Sequence, residues 1–245
     1  SRRQRQMCIR DRLEPVETAQ KKQTQFIASA SHELRTPLAV VRSGLESVEK
    51  CSNEEERNHF LHLMSEETVH MKRLIDDMLL LANSDADTLT IKPEACQPDL
   101  LLLDTYEKFE PLAKKNGLHL ILTLPEEILP DCFCDIHRTE QIFSIIVDNA
   151  LCYTPSGGKV TLSCHAENEM LCFLFKDTGC GISEEKKSHI FERFYRADDA
   201  HTDREHFGLG LCIAKELTEK QNGNIQVVDA PISGSCFMVQ LPCAL

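Results

Sequence analysis

The stretch Phe26–Lys50, FIASASHELRTPLAVVRSGLESVEK, decides the fold. Its apolar residues Ile27, Ala30, Leu34, Leu38, Val41, Leu45 and Val48 recur every three or four positions, which is one stripe of an α-helix. Cys51-Ser52-Asn53 then interrupts the pattern. Ser52 or Asn53, placed before Glu54-Glu55-Glu56, reads as a cap followed by an acidic first turn. A second stripe follows at Phe60, Met64, Met71, Ile75, Met78 and Ala82. Two long amphipathic helices joined by a short break predict an antiparallel hairpin. One hairpin offers only two stripes, and pairing with a second copy into a four-helix bundle is the simplest way to bury them. Packing of the hairpin onto the rest of the same chain is the alternative.

From about Ser84 the texture changes. Leu89–Ile91, Leu118–Leu124, Cys132–Cys134, Lys159–His165, Met170–Lys176, Ile225–Val228 and Cys236–Leu241 read as strands. Asp99–Lys115, Thr139–Leu151, Glu184–Phe194 and Gly210–Lys220 read as helices, the first closed near Gly117. Mixed helices and strands, with the last strands free to pair as neighbours, predict an α+β two-layer sandwich with one helical layer. The expected organisation is a basic start at 1–13, a helical hairpin at 14–84, a linker at 85–96 and the mixed domain at 97–245.

Composition narrows the function. The chain has 245 residues, 42% of them hydrophobic, and a net charge of -12. It is able to bury a core, which excludes a disordered tail or a collagen-like fibre. An acidic chain is a poor nucleic-acid binder, since phosphate contacts need a basic face. No apolar run is long enough to span a membrane, so no membrane contact is expected within this chain. The Arg-rich start, Ser1–Arg12, has no apolar block after it, and no leader peptide is expected. It reads equally as a juxtamembrane flank or as a remnant. The 12 cysteines are scattered, with no C-x-x-C pair, and are expected to be reduced and to serve as small apolar residues.

Two constellations carry chemistry. In Ser31-His32-Glu33-Leu34-Arg35-Thr36-Pro37-Leu38, His32 lies two positions from both Ala30 and Leu34, so it points away from the apolar stripe into solvent. An exposed imidazole is a potential nucleophile. Glu33 stands beside it as a proton acceptor, and Thr36 lies one turn on. Further along, Gln141–Pro155 is a mostly apolar helix with Asp148 and Asn149 near its end, where an amide oxygen suits a hard cation such as Mg²⁺. Lys176–Ile182 ends a strand in a D-x-G-x-G turn: Asp177 is able to accept a hydrogen bond from an exocyclic amine, and Gly179 and Gly181 let backbone approach a flat ligand. Phe191–Arg196 sets aromatics beside two cations, and Gly208-Leu209-Gly210-Leu211 opens a helix whose N–H groups face a possible phosphate.

The His32 segment resembles the phosphoacceptor box of bacterial two-component sensor histidine kinases. The later segments are similar to that family's N box, first glycine box, F box and second glycine box, and Pro231–Pro242 to its last glycine segment and closing strand. The resemblance spans about residues 14 to 242 and covers a dimerisation and phosphoacceptor domain followed by an ATP-binding domain. It implies transfer of a phosphoryl group from Mg-ATP to His32, with Glu33 as its acid/base partner and Thr36 orienting water when the partner is dephosphorylated. It further implies Asn149 as Mg²⁺ ligand, Asp177 as the adenine reader, Gly179, Gly181, Gly208, Leu209 and Gly210 around the nucleotide, and Arg196 near the γ-phosphate. Tyr153 matches a position beside the nucleotide but fits the edge of the core equally. Residues Ala197–Phe207 match a lid. A homodimer, a response-regulator receiver domain as partner and a cytoplasmic location in a membrane-anchored longer protein are implied too.

Three positions depart from the family pattern. Ile145 stands for a second N-box Asn, Cys152 for a basic residue and His206 for a glycine. They motivate an alternative, a degenerate transmitter that binds or dephosphorylates its receiver without kinase activity. A third reading is an ATPase of the wider gyrase-like superfamily, against which the His32 hairpin argues.

Overall fold

The computed structural model describes residues 2–196, 207–228 and 234–244, with side chains from residue 23 onward. Its order is α1 (Arg2–Lys50), α2 (Glu54–Asp85), β1 (Glu94–Cys96), α3 (Pro98–Lys115), β2 (His119–Thr123), β3 (Cys132–Cys134), α4 (Ile136–Tyr153), β4 (Lys159–Glu167), β5 (Met170–Asp177), α5 (Glu184–Lys187), α6 (Gly210–Glu219), β6 (Asn224–Val228) and β7 (Cys236–Pro242). The chain divides into two compact units, one over Ser1–Leu79 and one over Leu80–Thr202 with Gly208–Leu245. No described helix is long and apolar enough to cross a membrane.

The first unit is the expected helical hairpin. Of the two cap candidates the structure selects Asn53, whose Oδ1 accepts the Glu55 N–H at 2.9 Å. The apolar stripe of α1 splits. Ala30, Pro37 and Gly44 are buried, while Ile27 (57%), Leu38 (58%) and Leu45 (54%) are more than half exposed. On α2, Met64 and Leu74 are buried, whereas Val69, Ile75 and Leu79 stay open. Each helix therefore carries an apolar row that folding of one chain leaves to water. Burial pushes the Asp77 carboxyl on α2 up to about 6, with Arg73 one turn earlier pulling it down only partly.

The second unit is the expected α+β sandwich. Its sheet runs β2-β4-β5-β7-β6, with β2 parallel to β4 and the other neighbours antiparallel. The core is led by Phe143 of α4, whose ring lies 4.8 Å from Phe173 and 5.0 Å from Phe175 of β5. Asp135 caps α4 by accepting the Arg138 N–H at 3.1 Å, and it also accepts the Lys92 N–H at 2.9 Å. The last turn of α2 is tied into this unit: Arg193 forks onto Asp85 at 2.8 and 2.6 Å, and Ser84 donates to Glu216 at 2.7 Å.

Two element expectations fail. Leu89–Ile91 is not a strand; β1 begins at Glu94, where Glu94–Cys96 finds β3 as a ladder partner. The helix expected over Glu184–Phe194 stops at Lys187. Turns follow, because Phe194 adopts φ +62° and its N–H bonds to Gly208 O at 2.9 Å instead of to a preceding turn.

Phe143→Ala empties the centre of the sandwich and is expected to lower its unfolding free energy by about 3–5 kcal/mol in urea titration. For Asp77 the sign is opposite. A carboxyl raised in the folded state confers stability below its unfolded value that is lost as pH rises through about 6. Asp77→Asn is therefore expected to stabilise the hairpin by about 1–2 kcal/mol at pH 7, solvent screening included, and by nothing below pH ~4.

Candidate functional site

Side chains alternate along β5, so Asp177 shares a face with Phe173 and Phe175 and ends the strand beneath the helices. It is 4% exposed. Its Oδ1 accepts the Gly179 N–H at 2.8 Å and the Ser235 N–H at 3.0 Å, and its own N–H bonds to Ser235 O at 2.9 Å. Burial pushes the carboxyl up, and the bonds from Gly179 and Ser235 pull it back toward the ionised form. The aligned carboxylate is thus a buried acceptor held by backbone, which suits recognition of an N–H on a flat ligand.

The D-x-G-x-G turn packs on the end of α4. A Cβ at Gly179 would lie 2.3 Å from the Tyr153 carbonyl oxygen, so the predicted residues Gly179 and Tyr153 adjoin. Tyr153 itself is 39% exposed at the rim. Gly181 sits at φ +76° against the backbone of Gly234. Gly234 and Ser235 form the far wall of the turn and were not among the candidates. Their signal in the sequence was the glycine of the SGSC segment. At φ +89°, a Cβ on Gly234 would lie 2.1 Å from Asp177 O, closer than any side chain is able to sit.

Asn149 is half-buried on α4, one helical turn before Tyr153. Its Nδ2 donates to Ile145 O at 2.8 Å, which leaves the amide oxygen as the atom to present to a cation. Ile145, which stands where a second carboxamide is usual, packs instead on the second glycine turn: its Cγ2 would be 3.1 Å from a Cβ at Gly210. Gly208, at φ +71°, lies against the backbone of Phe194 and Tyr195. Leu209 is 1% exposed, so its side chain anchors the turn in the core and only its backbone is available to a ligand. The N-terminus of α6 follows at once.

Arg196 is exposed at the edge of the described segment. Arg193, three residues earlier, is held by Asp85 and has its guanidinium pKa raised by that bond. Residues 197–206, which include most of the expected lid and His206, and residues 229–233 lie outside the described residues. A hollow of about 410 Å³ is lined by Cys180, Gly181, Ser183, Lys187, Val227 and Ser235, and neither Asn149 nor Asp177 borders it.

The hairpin places its own candidates separately. His32 and Thr36 are exposed on α1 and Glu33 is half-buried between them. Thr36, with Arg35 and Phe60, lines a groove of about 580 Å³ along the hairpin that His32 does not border. Ser31 Oγ is engaged with Ile27 O at 2.7 Å.

Comparison with known proteins matches this division. Residues 22–87 match the model of the His Kinase A (phospho-acceptor) domain, and residues 134–245 that of the histidine kinase-, DNA gyrase B- and HSP90-like ATPase. The chain is 33% identical over 234 residues to the sensor histidine kinase RppB of Synechocystis sp., covering 94% of this chain and 51% of RppB. It therefore spans about half the length of that relative. The full-length ShkA structure in complex with AMPPNP is similar with a TM-score of 0.69 and 28% identity, covering 89% of this chain and 45% of ShkA. Histidine kinase ThkA in complex with the response regulator TrrA shares the fold with a TM-score of 0.72 at 19% identity, over 90% of this chain and 61% of that one.

The packing of the glycine turns sets a graded expectation. Gly234→Ala is expected to cost about 1–3 kcal/mol in unfolding free energy, because a Cβ there meets the Asp177 backbone. Gly157→Ala, at φ +84° with nothing within 4 Å, carries only the backbone strain and is expected to cost about 1 kcal/mol.

Proposed function

Since the chain belongs to the histidine kinase family, we propose that it binds Mg-ATP in its α+β unit and transfers the γ-phosphoryl group to His32. An imidazole nitrogen of His32 attacks the γ-phosphorus, the bond to the bridging oxygen of ADP breaks, and Glu33 accepts the ring proton. The observation that carries this reading is Asp177: a buried carboxylate held by the Gly179 and Ser235 backbone at the D-x-G-x-G turn. Such an acceptor suits the exocyclic amine of adenine. Catalysis of this kind rests on positioning and on neutralising phosphate charge.

The residues fit the cation. Asn149 offers one amide oxygen, and Mg²⁺ commonly takes one or two protein ligands and fills its shell with phosphate oxygens and water. When bound, it supplies charge neutralisation at the phosphates. The start of α6 after Gly208 offers N–H groups for the same negative charge, and Arg196, which directly precedes the lid segment in sequence, is read as adding a positive one.

The open apolar rows at Ile27, Leu38 and Leu45 on α1 and at Ile75 and Leu79 on α2 support a homodimeric four-helix bundle. The phosphoryl group then passes from His32 to an Asp of a response-regulator receiver domain, and Thr36 is read as orienting the water that hydrolyses that aspartyl phosphate to free Asp and inorganic phosphate. The chain is read as the cytoplasmic core of a longer, membrane-anchored sensor.

Incubation with γ-labelled Mg-ATP tests the proposal. Acid-labile, base-stable label is expected on the chain and is expected to vanish in His32→Ala while nucleotide binding persists. Asp177→Asn is expected to weaken ATP binding at least about 10-fold, as loss of a buried charged acceptor costs about 1.5–3 kcal/mol. Nucleotide binding with no label would favour the degenerate transmitter, and steady phosphate release that survives His32→Ala would favour a superfamily ATPase.

A further inference from the structure

Twelve scattered cysteines read as core filler, and three of them are brought together by the fold. Cys132 and Cys134 are two apart on β3, so both point to the same face, and each is fully buried while Phe133 between them is exposed. The antiparallel register of β1 sets Cys96 directly opposite Cys132, on that same face. The three sulfurs lie within 4.8 Å of one another, and Cys96 Sγ is 3.4 Å from Cys134 Sγ. Three sulfurs bound to one metal at about 2.3 Å stand roughly 3.8–4.0 Å apart, so the cluster needs only small rotations to close on an ion.

All three are free thiols, and a disulfide, which Cys96 and Cys132 could form from their opposed positions, would join only two of the three gathered sulfurs. The surroundings favour a cation. Asp131 acts electrostatically on Cys96 and Asp135 on Cys134, negative charges that suit a bound cation. Cys96 is half-buried and gives the entry path. Both strands are only three residues long, and a two-stranded sheet of that size gains from a clip.

We propose that Cys96, Cys132 and Cys134 form a thiolate site for a soft d¹⁰ cation, Zn²⁺ or Cu⁺, which clips β1 to β3 at the base of α4. On binding, the three thiols release their protons to solvent and the ion sheds water. Cu⁺ is satisfied by three thiolates, whereas Zn²⁺ keeps one water as fourth ligand. Residues Ile136 to Asn149 of α4 put roughly 20 Å between this site and the proposed nucleotide site, so it is separate from the phosphotransfer chemistry.

The test uses the reduced, metal-free chain, titrated with Zn²⁺ against a chromophoric zinc chelator and, anaerobically, with Cu⁺ against a copper chelator. One ion per chain is expected, with a thermal unfolding midpoint that rises with ion concentration. Co²⁺ substitution is expected to give a thiolate-to-metal charge-transfer band. Cys96→Ser, at the half-buried position, is expected to weaken uptake at least about 10-fold and the Cys96→Ser/Cys134→Ser pair at least about 100-fold. Cys51→Ser in the interhelical break should leave uptake unchanged, and circular dichroism of each variant reports its folding. Tighter uptake of either ion supports the site and identifies which it prefers. Uptake unchanged in a folded Cys96→Ser variant, or no uptake of either ion by the parent chain, overturns it.

Discussion

Along β5 successive side chains point to opposite faces, and Phe173, Phe175 and Asp177 fall on the same one. The two rings dock on Phe143 and fix the sheet against α4. That docking carries the next residue in phase, a carboxylate, to the end of the strand under the helical layer. A one-residue slip of β5 would turn the rings to the other face and the acid with them. Core packing and site placement are therefore one constraint.

The carboxylate is then held from both sides. Asp177 donates its backbone N–H to Ser235 O and accepts the Gly179 and Ser235 N–H groups through Oδ1, so the exit of β5 and the entry of β7 are a single unit. Gly234 allows that approach because no side chain fits against the Asp177 backbone. A similar closure joins Phe194 to Gly208, so the ends of segment 195–207 meet at one point before α6 begins. Backbone bare of side chains at these turns lets a flat ligand approach closely, which is the physical basis for reading them as a cradle.

The hairpin was legible because its signal is local: a period near 3.6 over two long segments, with Asn53 as a stop and restart. His32 was legible as exposed for the same reason, being out of phase with Ala30 and Leu34. The strand expected at Leu89–Ile91 and the long helix expected at Glu184–Phe194 failed because both depend on partners distant in the chain. β1 forms where β3 offers a ladder, and Phe194 leaves helical conformation to meet Gly208. Ile145 looked like a lost ligand, and its contact with the Gly210 turn gives it a packing role.

Sequence alone determined the two-part architecture, the solvent-facing imidazole, the order of the glycine turns and the acid among them, because periodicity, capping and turn chemistry act within a few residues. Tertiary structure decided the rest. It split the α1 stripe into a buried and an open row, recruited Gly234 and Ser235 to Asp177, tied Arg193 to Asp85 and gathered Cys96 with Cys132 and Cys134. Those juxtapositions depend on strand register and on contacts between residues tens of positions apart, and no local pattern encodes the register.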